Sequence, residues 1–290
     1  NKIWNALKLV KIWEGRVSRE SEVGSRESGD FAVKWFANRL EQVKVELDGQ
    51  YKEFRLSEAL KTIYSLIWDD FCSWYLEWVK PGFEQPIDKN VYESTVTFFE
   101  ELMLLLHPFT PFITEEVYHQ LRDRVAGDDI TIKQQSAAGN VDNVLIAQGQ
   151  LLKDLITGIR DVRNKQQIKP KETIGLSIQT ENAAAYNELL SLFSKQVNAR
   201  EISFVTASVP GTITAVIGKD KFYLEAEKPV DTGNQKEELL KELEYQKGFL
   251  IAIDKKLGNE RFVQNAKPEV VELERRKKAD AEEKIRVIEE

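Results

Sequence analysis

Cysteine is almost missing from this sequence, which has only Cys72 among its 290 residues. One cysteine cannot form a disulfide within the chain, so a disulfide-stabilised fold is excluded and a reducing, cytoplasmic location is expected. No segment has the pattern of a signal peptide, and no apolar run approaches the ~20 residues of a transmembrane helix. Asn1 opens directly into a helical pattern, which predicts that the chain is cut from a longer protein.

Residues suited to catalysis are equally scarce. The only histidines are His107, which precedes Pro108 at a predicted helix end, and His119, late in an amphipathic helix. The first position favours a structural role and the second an exposed side chain. No metal-ligand spacing, Gly-rich phosphate loop or nucleophile paired with a base is present. The sequence therefore predicts no catalytic site, no metal and no cofactor in this chain.

The formal net charge of -7 argues against a uniformly basic nucleic-acid-binding protein, because phosphate groups attract Lys and Arg. It is still compatible with a basic stripe on an acidic body. With 42% hydrophobic and 31% charged residues, the composition is that of a soluble, folded protein. The length allows two or three domains.

Apolar residues at three- and four-residue spacing predict a helix bundle over residues 1–124. Residues 14–30 are polar and rich in Gly and Ser, which argues against a continuous helix in that segment. A helix stop is predicted at Pro81-Gly82, and Thr110-Pro111 provides an N-cap and first residue for a later helix. The longest apolar face, which we expect to be one continuous helix, consists of Leu56, Leu60, Ile63, Ile67, Phe71, Trp74 and Trp78. The residues predicted in the bundle core include Trp68, Trp74, Tyr75 and Trp78.

Residues 125–233 predict a small α/β module. Ile130 and Ile132 alternate with polar residues, as in a short strand, and the same period recurs from Ile174 to Ile178. Between them lies a long amphipathic helix, and a linker is predicted at 229–234. The apolar face of that helix consists of Val144, Leu152, Leu155, Ile159 and Val162.

Residues 234–290 predict an antiparallel coiled-coil hairpin, so the fold class is mainly α. Apolar residues repeat every seven positions before a break at Gly258-Asn259, and Pro268 restarts a helix at its first turn. The first-helix seam consists of Leu243, Leu250 and Leu257 with Leu239, Gln246 and Ile253. The second-helix seam consists of Val271, Ala281, Ile285 and Ile288.

Distinctive residue patterns occur along nearly the whole chain, in segments 1–6, 68–77, 106–116, 159–170 and 256–272. Together they resemble the C-terminal part of valyl-tRNA synthetases, a family of class I aminoacyl-tRNA synthetases. The helix break at Leu106-His-Pro-Phe-Thr-Pro is shared with the leucyl and isoleucyl families, whereas the terminal hairpin sets the valyl family apart. The resemblance implies an anticodon-binding bundle, a junction module and a tRNA-binding arm.

The resemblance also implies a function in two parts. The bundle would read the anticodon and the arm would grip the elbow of tRNA(Val), so that a catalytic domain outside this chain can attach valine using ATP. The two short His- and Lys-containing signatures of that catalytic domain are not found in this sequence. A cytoplasmic monomer whose partner is tRNA is expected. The alternative is a non-enzymatic helical scaffold that docks protein partners through its coiled coil, which suits the acidic net charge.

Basic residues in three places are predicted to contact tRNA. Lys2 is assigned by the resemblance, although its chemistry alone indicates a solvated lysine. The patch on the long helix and the basic arm tip are suggested by clustering, against the alternative of ordinary solvated faces. Phe262 near the tip either closes the hairpin or stacks on a base. The predicted contact residues are Lys2, Arg160, Arg163, Lys165, Lys255, Lys256, Arg261, Lys267, Arg275 and Arg276, with Lys169 and Lys171 near the patch.

Overall fold

The computed structural model describes residues 1–18, 23–226 and 232–289. Part of the polar segment and the first half of the predicted linker, residues 229–231, therefore lie outside the described residues. Side chains are also outside the description at 23–28, at 232–239 and at positions 260 and 261.

By compactness the chain divides into two units, Asn1–Lys153 and Asp154–Glu290. The predicted boundaries at residues 124 and 233 stay predictions. The mainly α fold class is confirmed, because both units contain long helices and the second also contains one small sheet. None of the described helices is long and apolar enough to cross a membrane.

The first unit is a helix bundle, as predicted. The apolar spacing forms its helices, and Asp88 caps one of them by accepting hydrogen bonds from the backbone N of Asn90 (2.8 Å) and Val91 (3.2 Å). Pro111 begins another at its first position. The elements are α1 (Lys2–Glu14), α2 (Val23–Lys52), α3 (Leu56–Ser65), a π-helix (Leu66–Tyr75), α4 (Leu76–Val79), α5 (Lys89–Leu106), α6 (Pro111–Leu121), a 3-10 turn (Ile130–Ile132) and α7 (Asn143–Lys165), which continues into the second unit.

Aromatic side chains fill the bundle core. The Phe36 ring lies 4.9 Å from that of Tyr75, and Trp35 lies 4.7 Å from Trp78, in tilted pairs typical of aromatic packing. The Tyr75 hydroxyl is satisfied by Thr95 Oγ1 at 2.8 Å, so its burial leaves no unpaired polar group. The predicted core positions of Tyr75 and Trp78 are confirmed.

A buried carboxylate also ties the bundle together. Asp70 accepts from Arg39 Nε at 2.8 Å and from Lys153 Nζ at 2.5 Å, with its side chain 8% exposed. The two cations offset the cost of burying its charge. Lys153 also lies over the Trp35 ring, 4.6 Å from its centroid. Asp70 was missed because an acidic residue inside an apolar run has no sequence signal of its own.

The prediction of one continuous α-helix from Leu56 to Trp78 is wrong. Residues Leu66–Tyr75 form a π-helix, whose longer turn shifts the buried face to four- and five-residue spacing, as from Leu66 to Asp70 to Tyr75. Trp68 is consequently 40% exposed rather than in the core, and Trp74 is half-buried. At the other end Leu56 is 55% exposed, because α3 turns that side to solvent.

Two further expectations for residues 125–153 are corrected. Ile130–Ile132 forms a 3-10 turn rather than a strand, because Glu115 accepts the Ile130 backbone N–H (2.8 Å) that a neighbouring strand would have taken. Val144 is 70% exposed, and the buried face of α7 begins at the next residue, Leu145. Gly149 lets α7 approach the Trp35 ring, which a Cβ would meet at 2.0 Å.

The second unit contains a four-stranded sheet, in which β1 (174–179), β2 (199–204), β3 (213–217) and β4 (220–225) lie in the order β2-β1-β4-β3. Ile174, Leu176 and Ile178 are buried on the central strand β1, as their alternation predicts. β1 pairs in parallel with β2 and antiparallel with β4, and β3 pairs antiparallel with β4 at the other edge. The elements are β1 (Ile174–Gln179), a 3-10 turn (Ala183–Tyr186), α8 (Leu190–Val197), β2 (Ala199–Phe204), β3 (Ile213–Ile217), β4 (Asp220–Glu225), α9 (Thr232–Leu257), α10 (Glu260–Asn265) and α11 (Pro268–Glu289).

Candidate nucleic-acid interface

Lys2 is engaged within the first unit. Its ammonium donates to the Trp68 carbonyl at 2.8 Å and to Ser73 Oγ at 3.0 Å, and lies 4.1 Å from the centroid of the Trp68 ring. Two of its three N–H donors are thus used to fix α1 against the π-helix. The role of Lys2 as an anticodon contact stays a prediction, with one N–H left for a ligand.

Part of the predicted patch on α7 is exposed. Arg160 and Lys165 are both exposed, as are Lys169 and Lys171 in the following loop. Arg160 donates to the Gln196 carbonyl at 3.3 Å and to its Oε1 at 3.1 Å, so its guanidinium is already oriented. These positions remain available to a phosphate group, and their contact with tRNA stays a prediction.

Arg163 does not belong to that patch, which corrects its predicted place on the polar face of α7. Its side chain is buried, and the guanidinium donates to the carbonyls of Val197 (2.8 Å), Lys169 (2.5 Å) and Glu172 (2.6 Å). Burial lowers the pKa of this guanidinium. Helical periodicity cannot reveal such a residue, because the carbonyls that bury it come from the loop before β1 and from the end of α8.

The arm is formed by α9 and α11, which run antiparallel. Residues near the end of α9 pair with residues near the start of α11, and the reverse holds at the other ends. The pairs are Lys256–Glu274 (3.1 Å), Asp254–Lys278 (2.7 Å), Lys247–Glu289 (2.6 Å) and Glu242–Lys284 (2.7 Å). This ladder of ion pairs shows the antiparallel register of the hairpin, and the chain reverses between Gly258 and Pro268, as predicted, through the short helix α10.

The seam of the arm is more polar than predicted. Gln246 and Ile253 are buried on α9, whereas Leu243, Leu250 and Leu257 are only half-buried. On α11 Val271 and Ala281 are buried as predicted, and Ile285 and Ile288 are half-buried. The buried positions missed on α11 are Glu274 and Val287. A charged residue in a seam breaks the apolar heptad pattern, so Glu274 carried no sequence signal.

Glu274 predicts a pH-sensitive arm. Hydrogen bonds from Lys277 and Lys256 lower the pKa of this carboxyl, so its contribution to stability is present above the ordinary Glu pKa of about 4.3 and is lost as pH falls below it. We expect the helical circular dichroism signal of the arm to melt at lower temperature at about pH 3 than at pH 7. Glu274→Gln should shrink this difference, because Gln cannot titrate. An unchanged pH dependence in Glu274→Gln would assign the effect to the other carboxylates.

The ladder decides which basic residues of the arm are free. Lys256 is bound to Glu274 and lies 5.1 Å from the Phe262 ring centroid, and Arg276 approaches Glu272 at 3.7 Å. In contrast, no described carboxylate lies within ion-pair distance of three exposed residues. These are Lys255, Lys267 and Arg275. The side chain of the predicted contact Arg261 lies outside the described residues.

Phe262 and the histidines have local structural partners. Phe262 is half-buried beneath Lys256, which is consistent with closing the hairpin. His107 Nδ1 lies 2.8 Å from Thr114 Oγ1 at the end of α5, in agreement with its predicted structural role. His119 Nε2 lies 3.2 Å from Glu115 Oε1 and 3.1 Å from Asp129 Oδ1. These three side chains are close enough together to hold a metal ion, a cluster that the sequence did not predict. In this cluster both carboxylate oxygens of Glu115 already accept hydrogen bonds, from the Ile130 backbone N–H and from Thr131 Oγ1.

Two family models match this chain. Residues 33–180, about half of the sequence, match the anticodon-binding domain of tRNA ligases. The chain belongs to that family. Residues 231–290 match the valyl tRNA synthetase tRNA binding arm, which covers the antiparallel helices described above. The predicted family is therefore confirmed.

Full-length relatives extend the comparison over the whole chain. It is 39% identical over all of its length to a valine–tRNA ligase of Parabacteroides distasonis and 40% identical over 98% of its length to one of Porphyromonas gingivalis, in each case covering 32% of the relative. A valine–tRNA ligase of Streptococcus pyogenes is 29% identical over 98% of the chain and 34% of that relative. The chain thus spans about a third of the length of the curated relatives it matches.

Proposed function

We propose that this chain is the tRNA-binding part of a cytoplasmic, monomeric valine–tRNA ligase. The bundle reads the anticodon of tRNA(Val) and the arm grips its elbow, while a catalytic domain outside this chain attaches valine using ATP. The observation that carries the proposal is the joint match of two separate segments, an anticodon-binding domain at residues 33–180 followed by a valyl-type arm at 231–290. The exposed cations Lys255, Lys267 and Arg275, which have no described carboxylate at ion-pair distance, would supply the charge that such a grip needs.

The chemistry of this function is positioning. Bases in a single-stranded loop expose their edges and faces, so an anticodon loop can be recognised by side chains of the bundle. Contacts far from the reacting groups then hold the acceptor end of the tRNA in place, and their binding energy lowers the barrier by reducing the entropy lost at the reacting centre. In this scheme no side chain of the present chain needs to act as an acid, base or nucleophile.

The proposal predicts salt-dependent binding of tRNA(Val) by the whole chain. Each neutralised duplex phosphate releases counterions, so the logarithm of the affinity should fall linearly with the logarithm of salt concentration, at about 0.9 per phosphate. Fluorescence anisotropy of labelled tRNA(Val) between about 50 and 200 mM salt measures the slope. A tRNA with a different anticodon should bind more weakly. No binding to either tRNA would favour the protein-docking scaffold instead.

A further inference from the structure

Two aromatic rings lie exposed and stacked on one face of the bundle. The ring centroids of Tyr64, on α3, and Trp68, on the π-helix, are 5.2 Å apart with an interplanar angle of 15°. Tyr64 is 54% and Trp68 40% exposed, in a unit whose other large aromatics are mostly in the core. Because the two rings stack on each other, a flat ligand can stack only on the outer face that the pair leaves open, and leaving that face in water costs the free energy that its burial would gain.

The local fold holds this pair in place. Tyr64 and Trp68 are four residues apart and therefore neighbours on the helix surface. Lys2 binds the Trp68 carbonyl and lies over the Trp68 ring, and Ser73 Oγ also donates to the same carbonyl at 2.9 Å. The orientation of Trp68 is thus fixed before any ligand binds, which reduces the entropy lost on binding.

Positive charge flanks the rings. Lys61 is exposed three residues before Tyr64, with no described carboxylate within ion-pair distance, and Lys2 keeps one N–H donor unused. Of the neighbouring carboxylates, Glu58 is paired with Arg55, whereas Asp69 accepts a hydrogen bond from Ser65 Oγ (2.9 Å) and keeps its negative charge. A flat ring between two cations matches the chemistry of a nucleotide, which joins a π-face to a phosphate.

We propose that Tyr64 and Trp68, flanked by Lys61 and Lys2, form a stacking platform for an unstacked base of a single-stranded RNA loop. This inference rests on the proposed function and names the side chains that would hold a base of the anticodon loop. Lys2 is then a positioning residue that orients Trp68, rather than solely a direct contact. The platform tolerates any base, because every base has a π-face, so it supplies affinity and leaves discrimination to other groups.

The test uses the whole chain and a hairpin RNA with the anticodon stem and loop of tRNA(Val), carrying the fluorescent base 2-aminopurine at one loop position at a time. Binding should quench the probe at the stacked position. Tyr64→Leu and Trp68→Leu should each weaken binding on the order of tenfold and abolish that quenching. Tyr64→Phe keeps the ring and should bind within about twofold of the parent.

Two controls separate the outcomes. Phe83→Leu removes a ring that is 89% exposed in the same unit and should change nothing. Lys2→Met should weaken binding in the parent but add little in Trp68→Leu, because a positioning residue acts through the ring it holds. If the parent binds the hairpin but both leucine variants bind it equally well, the pair is a packing surface for protein and the platform is refuted. If the parent binds neither hairpin nor tRNA, the proposed function itself fails.

Discussion

Replacing Arg163 with methionine is expected to destabilise the second unit by about 3–5 kcal/mol, the loss typical of breaking a buried charged network. Its guanidinium satisfies carbonyls of Val197, Lys169 and Glu172, and methionine fills the volume without donating to any of them. Thermal unfolding followed by circular dichroism should show a midpoint lower by roughly 10 °C. Hydrogen exchange should report the earliest opening in the loop before β1.

Arg160 provides the matched control for Arg163. It lies three residues earlier on α7, is exposed, and among the described residues donates only to Gln196, so Arg160→Ala should change stability by less than about 1 kcal/mol. Arg163→Lys keeps the charge but cannot reach three separated carbonyls, and should fall between the two. A stable Arg163→Met variant with a reduced salt slope for tRNA would restore Arg163 to the predicted contact patch.

Neutralising the three exposed arm cations that have no described carboxylate within ion-pair distance is expected to have the largest effect on tRNA binding. If Lys255, Lys267 and Arg275 each contact a phosphate, changing all three to Gln should lower the log–log salt slope by ~2.7. The affinity depends on the salt concentration raised to the power of about −0.9 for each phosphate contact. Losing three contacts at about 0.1 M salt would therefore lower the affinity up to several hundredfold. The arm should stay folded, because these side chains make no described ion pair across the hairpin.

A second triple variant with the same change in net charge isolates the effect of position. Lys247, Lys278 and Lys284 are already paired with Glu289, Asp254 and Glu242, so changing them to Gln should cost arm stability but leave the salt slope nearly unchanged. Equal slopes in both triple variants would show that tRNA responds only to the total charge. An unchanged affinity in the first variant would make the arm a structural or protein-docking element.

The sequence by itself determined the features that depend on local patterns. The spacing of apolar residues placed the bundle helices, the alternation at Ile174–Ile178 placed the central strand, and Gly258 with Pro268 placed the turn of the arm. Each of these signals is written within a few turns or one strand, because side-chain direction follows directly from backbone period. The resemblance of separate segments to one family was likewise visible in sequence, and the family models confirm it.

Only the tertiary structure decided which polar and aromatic side chains are free to meet a ligand. Arg163 and Glu274 have the sequence pattern of surface charges, but both are buried. Backbone carbonyls offset the cost of burying Arg163, and lysines offset that of Glu274. Trp68 looks like core, but the π-helix turns it outward beside Tyr64. These outcomes depend on partners distant along the chain and on a change of helical period, neither of which a local pattern encodes.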